Sequence, residues 1–307
     1  MIELSRRTFL HLAAGAAALA ATPALAAKKE RQPLITRTIP STGEVLPAVG
    51  MGTWQTFDVG AAEAERAPLR EVLRTFFDGG GRLIDSSPMY GRSEAVVGDL
   101  VSAGGWTKLP PFLATKVWTR GREDGIAQMN ESFRRMRTER IDLMQVHNLV
   151  DVETHLATLR TWKEQGRVRQ VGITHYQVGA FDEVERLMKA HPLDFVQLPY
   201  SVGVRDAEKR LLPLARERGI AVLVMRPFEG GSLLREARAK PLPALAAALG
   251  ATSWAQLFLL FILANPAVTC AIPATGKPAH MAENVAAMRC KLPDEAQRKQ
   301  LLAAIGA

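Results

Sequence analysis

From residue 49 to residue 288, short apolar runs alternate with segments of helical period, and this alternation constrains the fold of the 307-residue chain more than any other feature. The apolar runs fall at 49–54, 82–85, 112–117, 141–147, 168–174, 195–199, 220–225 and 268–273, each short enough for a strand buried on both faces. Helical periodicity occupies 68–77, 94–101, 123–137, 154–165, 180–189, 207–218, 254–263 and 278–288. Gly79-Gly80-Gly81, Gly166 and Gly219 each follow a helical segment and precede an apolar run, where glycine readily ends a helix. Eight strand-helix units of roughly 35 residues each imply an all-parallel sheet. Count and length together predict a closed (β/α)8 TIM barrel, with a doubly wound sheet as the alternative topology. Upstream, Ser41-Thr42-Gly43-Glu44 parts two short extended runs within 34–49 and predicts a small β-hairpin. The apolar run 254–263 is too short to span a bilayer and is expected to be a buried barrel helix. With 47% hydrophobic residues and only two cysteines, Cys270 and Cys290, the chain must be held by a core. Those two thiols form neither a disulfide framework nor a zinc site.

The first 26 residues follow a different pattern. Arg6 and Arg7 make a basic start, an apolar run covers 12–21, and Ala24-Leu25-Ala26 supplies small residues at a cleavage position, as in an export signal. Ser5-Arg6-Arg7-Thr8-Phe9-Leu10 resembles the twin-arginine motif, which routes proteins already folded. The apolar run is about half the ~20 residues of a spanning helix, so no stable membrane anchor is expected. This divides the chain into a twin-arginine signal peptide at 1–26 and a barrel at 27–307. It implies periplasmic export and the twin-arginine machinery as a partner. Removing the signal takes away Arg6, Arg7 and Glu3, so the formal net charge falls by one from +8 to +7. A basic chain raises nucleic acid as a partner. Its densest cluster, however, Arg134, Arg135, Arg137 and Arg140, ends a predicted helix and is interleaved with Glu131 and Glu139. That is the pattern of a solvated helix end favoured by the dipole, and no nucleic-acid partner is expected.

Several chemistries lose weight on missing motifs. Gly50-Met51-Gly52 lacks the third glycine of a dinucleotide fingerprint, and Gly276-Lys277-Pro278 is not a phosphate-binding loop. There is no His-Glu-x-x-His, no Gly-x-Ser-x-Gly, and no ligand spacing among the six histidines; no metal is expected. Barrel chemistry collects at the C-terminal ends of strands, and there the chain places Asp85, then Tyr90 five residues on, Lys116 and His147. Each alone has a bland role: a helix cap, a packing residue, a snorkelling cation, a core histidine. On adjacent strands they become equipment for proton delivery. A lysine beside a phenol is expected to lower its pKa from about 10, an aspartate fixes the ammonium, and a histidine can donate to a carbonyl oxygen. No side chain supplies hydride, so a cofactor is required.

These residues resemble the aldo-keto reductase family, whose Asp, Tyr, Lys and His tetrad is similar in order and placement to Asp85, Tyr90, Lys116 and His147. Gly50-Met51-Gly52-Thr53-Trp54 resembles the family's first strand, and Asp85 to Gly91 its Asp-x-x-x-x-Tyr-Gly segment. Val171-Gly172-Ile173-Thr174-His175-Tyr176 is similar to its Gly-Val-Ser-Asn-Phe segment. The resemblance implies a bound NADP(H), with NAD(H) as the alternative. Thr53 and Trp54 would line its site, while Thr174, His175 and Gln197 would hold the carboxamide. Met225 or Arg226 would replace the stacking aromatic, with Phe228 beside them. Pro273, Thr275, Lys277, His280, Glu283 and Asn284 would meet the adenosine phosphate and adenine, although Ala274 and His280 stand where many relatives carry Lys and Arg. The expected activity is an exported NAD(P)H-dependent reductase that passes hydride to a small aldehyde or ketone, Tyr90 giving the proton. The alternative is an exported cofactor-carrying binding or redox-sensing protein with little turnover.

Overall fold

The computed structural model describes residues 32–106 and 110–306. The expected export signal at 1–26 lies outside them. Within the compact unit Pro33–Ala307, β1 (Thr36–Thr38) and β2 (Val45–Pro47) pair antiparallel as the expected hairpin. Gly43 takes a φ of +73° in its turn, a region open to glycine at little cost.

Eight strands then follow in order: β3 (Met51–Gly52), β4 (Leu83–Asp85), β5 (Phe112–Val117), β6 (Ile141–His147), β7 (Val168–Thr174), β8 (Phe195–Pro199), β9 (Ala221–Met225) and β10 (Val268–Ala271). Each pairs in parallel with its sequence neighbour. Parallel bridges Val49 to Ala271 and Gly52 to Ala274 join the first strand region to the last. The sheet is therefore a closed barrel, as the strand count predicts, and the doubly wound alternative falls.

Between the strands lie α1 (Glu63–Asp78), α2 (Ser93–Gly104), α3 (Arg122–Arg135), α4 (Val152–Glu164), α5 (Phe181–Ala190) and α6 (Leu211–Arg218). The chain then adds α7 (Ser232–Ala237) and α8 (Leu245–Leu249) before α9 (Trp254–Leu263), and ends with α10 (Pro278–Ala286) and α11 (Glu295–Ile305). Every residue of α9 is buried, which explains its lack of a polar face. Helix α1 starts five residues before the predicted 68, running through Pro68. Its first turn is held by Glu65 accepting from the Gly60 amide at 3.1 Å and by Arg66 donating to the Gly60 carbonyl at 2.8 Å. The predicted 207–218 helix begins only at Leu211, after a 3₁₀ turn at Asp206–Glu208. Three helices, α7, α8 and α11, have no counterpart in the sequence expectation.

The barrel's interior is one apolar cluster that includes Leu83, Phe112, Ala114, Leu143, Phe195, Ala221 and Leu223. Ile39 and Leu46 of the hairpin belong to it, so the hairpin plugs the N-terminal end of the barrel. Side chains alternate along a strand. An inward Leu83 therefore makes Asp85 inward, Ala114 makes Lys116 inward, and Leu143 makes Gln145 and His147 inward. The same rule carries Phe195 to Gln197. The bottom of the barrel is thus hydrocarbon and the top a layer of polar groups.

Candidate active site

That polar layer is buried and densely hydrogen-bonded. Asp85, Lys116 and His147 are 2%, 0% and 6% exposed. Lys116 Nζ donates to Asp85 Oδ2 at 2.7 Å and to the Ser86 carbonyl at 2.7 Å. The other carboxylate oxygen, Oδ1, accepts from Gln145 Nε2 at 3.1 Å and Gln197 Nε2 at 2.9 Å. Parallel registry brings these donors level: Lys116 faces Gln145, His147 faces Thr174, and Thr174 faces Gln197 across the strands. A buried ion pair survives desolvation only when its remaining lone pairs are satisfied, and here the two glutamines do so.

Tyr90 arrives from the loop after β4. Its carbonyl accepts from the Ser93 amide at 3.1 Å and its own amide donates to Ser87 at 3.0 Å, so the residue is clamped in a turn that leads directly into α2. Gly91 follows with a φ of +58°, and a Cβ there would lie 2.3 Å from Asp58. Lys116 Nζ sits 5.0 Å from the Tyr90 ring centre. The His147 ring stands edge-on to Tyr90 at 6.0 Å.

Burial pushes the Tyr90 phenol above its ordinary value, although the Lys116 ammonium pulls it down; Asp85 adds to the rise. This corrects the expected direction: the lysine does favour phenolate, but loss of water outweighs it and the adjacent carboxylate offsets part of its field. Tyr90 remains a neutral acid. Burial would lower Lys116, yet Asp85 and Tyr90 hold it above its ordinary range, so it remains charged. Burial, with the like charges of Lys116 and His175, drives His147 down to about 2. His147 is therefore a neutral ring.

The residues expected around a nucleotide fall into two groups. Thr53 is buried; its hydroxyl donates to the Asp85 carbonyl and accepts from the Ser86 hydroxyl, both at 3.0 Å. Thr174 Oγ1 donates to Gln197 Oε1 at 3.2 Å, and His175 Nδ1 accepts from the Gln177 amide at 3.1 Å, which leaves Nε2 for a ligand. These residues adjoin the tetrad. The second group lies on the β10–α10 segment. Pro273 accepts from the Gly52 amide at 3.1 Å and Thr275 Oγ1 from the Lys277 amide at 3.1 Å. Asn284 is buried, while Lys277, His280 and Glu283 are exposed. Met225 and Phe228 are half-buried, and exposed Arg226 takes a φ of +54° between them. The first turn of α10 carries no acidic side chain, and with Lys277 and His280 it suits an anionic phosphate. Amide and hydroxyl groups at one end and cations at the other fit a nicotinamide dinucleotide.

Sequence reasoning missed four neighbours. Ser87 and Gln145 are buried partners of His147 and Asp85. Trp118, directly after β5, places its ring 6.2 Å from His147, and Met89 is exposed beside Tyr90. Trp54 and Tyr176 are likewise large exposed apolar side chains, each two residues past a barrel strand. The usable signal was position: Trp118 immediately follows the end of β5, close to the strand-end residues Asp85, Lys116 and His147.

Residues 48–300 match the profile described as the Aldo/keto reductase family. The chain is 28% identical over 264 residues to methylglyoxal reductase YeaE of Escherichia coli (strain K12), covering 83% of this chain and 90% of that one. It is 28% identical over 213 residues to aldo-keto reductase YhdN of Bacillus subtilis (strain 168), covering 64% and 62% respectively. A solved aldo/keto reductase from Klebsiella pneumoniae, in complex with NADP and acetate, matches with a TM-score of 0.72 at 25% identity, covering 85% of this chain and 93% of that one.

Proposed function

The chain belongs to the aldo/keto reductase family, and from that premise we propose that it is an exported NADPH-dependent reductase of small aldehydes and ketones, with Tyr90 as proton donor. The methylglyoxal activity named for YeaE supports a 2-oxoaldehyde as substrate, and the NADP held by the Klebsiella pneumoniae enzyme supports the cofactor. The observation that carries the reading is the buried Lys116–Asp85 pair at 2.7 Å, with Lys116 also set against Tyr90 and a neutral His147 beside them.

When bound, the reduced nicotinamide supplies hydride to the carbonyl carbon. Tyr90 holds the proton on its hydroxyl and passes it to the carbonyl oxygen. Lys116, held by Asp85, stabilises the phenolate left behind, since its charge is fixed and desolvated. His147, uncharged, donates an N–H to the same oxygen and sets the direction from which the substrate presents. Thr174, His175 and Gln197 would hold the carboxamide, and Lys277 and His280 would meet the phosphate. Trp54, Met89, Trp118 and Tyr176 shield the reacting carbonyl from water.

Mature protein given NADPH and methylglyoxal is expected to consume the nucleotide. Tyr90→Phe is expected to slow that by about 10²- to 10⁴-fold, with NADPH affinity by fluorescence titration nearly unchanged. Absence of consumption by the wild type over a panel of small carbonyl compounds would replace reduction with the nucleotide-carrying alternative. Full-rate turnover in the variant would remove Tyr90 as the donor. The export half of the reading rests on Ser5-Arg6-Arg7-Thr8-Phe9-Leu10.

A further inference from the structure

We propose that Ser87 is a positioning residue: its hydroxyl donates to His147 Nδ1 and so keeps the ring proton on Nε2, the nitrogen that meets the carbonyl oxygen. The inference rests on the reading of His147 as a donor to substrate. Ser87 Oγ lies 3.1 Å from His147 Nδ1, and Ser87 is 0% exposed. The Met89 amide donates to the same Oγ at 3.4 Å, which occupies one acceptor site on the serine.

A hydroxyl has one proton to give. Among the described residues, the acceptor within reach of Ser87 Oγ is Nδ1. Were Nδ1 protonated, two N–H groups would converge on the serine oxygen and the serine proton would be left without an acceptor in a fully buried site. That arrangement carries the cost of an unmet buried donor. With the serine donating, every group is satisfied: Met89 gives to Ser87, Ser87 gives to Nδ1, and Nε2 carries the remaining ring proton. Nε2 makes no hydrogen bond to a described residue. The ring lies 6.0 Å from that of Tyr90 and 6.2 Å from that of Trp118; with Nδ1 taken by Ser87, Nε2 is the nitrogen left to donate to a ligand.

The same bond selects the ring's orientation. An imidazole rotated by half a turn would exchange its nitrogen and carbon positions, and the serine contact would be lost. Ser87 stands two residues after Asp85 and three before Tyr90, so one loop sets both the proton donor and the tautomer of its neighbour.

The test uses mature protein labelled with ¹⁵N-histidine and free of nucleotide, with His147→Gln identifying the His147 resonances. In the wild type near neutral pH, Nε2 is expected to carry the proton and Nδ1 to show the shift of a hydrogen-bonded acceptor. In Ser87→Ala, the Nδ1 resonance is expected to move to the position of an unbonded acceptor. In the same variant kcat should fall about five- to ten-fold, the worth of one buried hydrogen bond, with NADPH affinity unchanged. Ser87→Thr, which keeps the hydroxyl, should restore the wild-type signature. Should Ser87→Ala not fold, Ser87→Cys, with its weak donor, carries the comparison. A protonated Nδ1 in the wild type, or an Nδ1 resonance identical in Ser87→Ala, overturns the proposal. A wild type with the expected resonances but no NADPH consumption would overturn the carbonyl-reduction reading instead, because the tautomer is measured on the free protein.

Discussion

His147 shows how enclosure decides the charge of a single residue. Its folded pKa of about 2 lies below the ordinary 6.5, chiefly through burial. Between those values the unfolded chain binds a proton that the folded chain refuses, so stability contributed by this group is lost as pH falls below about 6.5. Going from about pH 7 to about pH 5, the loss is up to about 2 kcal/mol. Glu94 works with the opposite sign, because burial pushes its carboxyl up and folding then favours its protonated form as pH falls. The decisive measurement is therefore a difference: urea midpoints should fall more steeply with acidification in the wild type than in His147→Gln. Equal slopes would mean that the ring is not held neutral. Asp85, Tyr90, Lys116 and His147 were legible in the sequence because polar groups at the ends of apolar runs stand out. Gln145 and Ser87 were not, since their importance comes from partners 60 residues away.

At the scale of elements, period-two alternation places the site and close packing around it sets the spacing. Strands β5 to β8 have the predicted bounds, each a mostly apolar segment whose few polar residues do not break its extended pattern. Helix α11 was missed although its start is written locally: Asp294 accepts from the Gln297 amide at 2.8 Å and Gln297 returns a bond to the Asp294 amide at 3.0 Å. Such a capping box needs an apolar run beside it to be noticed, and α11 buries only Leu301. Helices α2 and α3 meet at Gly98, where a Cβ would lie 2.1 Å from the Arg135 carbonyl oxygen and 2.8 Å from Met136 Cα. Both contacts are backbone, so they cannot rotate away. Gly98→Ala is expected to destabilise the protein by about 1 to 3 kcal/mol, despite alanine's better helix propensity. Ser102→Ala, on the exposed part of the same helix, should leave the thermal midpoint nearly unchanged. If both variants melt like the wild type, α2 and α3 are not in contact at this glycine.

For the whole molecule, the proposed export makes one prediction that leaves the barrel untouched. Replacing Arg6 and Arg7 together by lysine keeps the charge but removes the arginine pair, and precursor should then accumulate in the cytoplasm. Mature protein still found outside the cytoplasm by fractionation would reject the route. Within the barrel, strand order, helix order and the strand-end positions of the tetrad were determined by the sequence itself, because periods of 2 and 3.6 are local properties of a chain. The choice between the predicted closed barrel and the doubly wound alternative was settled only in three dimensions, through Val49 meeting Ala271 across the barrel seam. So was the meeting of Gln197 with Asp85, 112 residues apart in sequence. The rise of the Tyr90 pKa belongs to the same class. Hydrogen-bond partnership and desolvation depend on which groups are enclosed together, and a chain acquires an inside only when distant strands close around it.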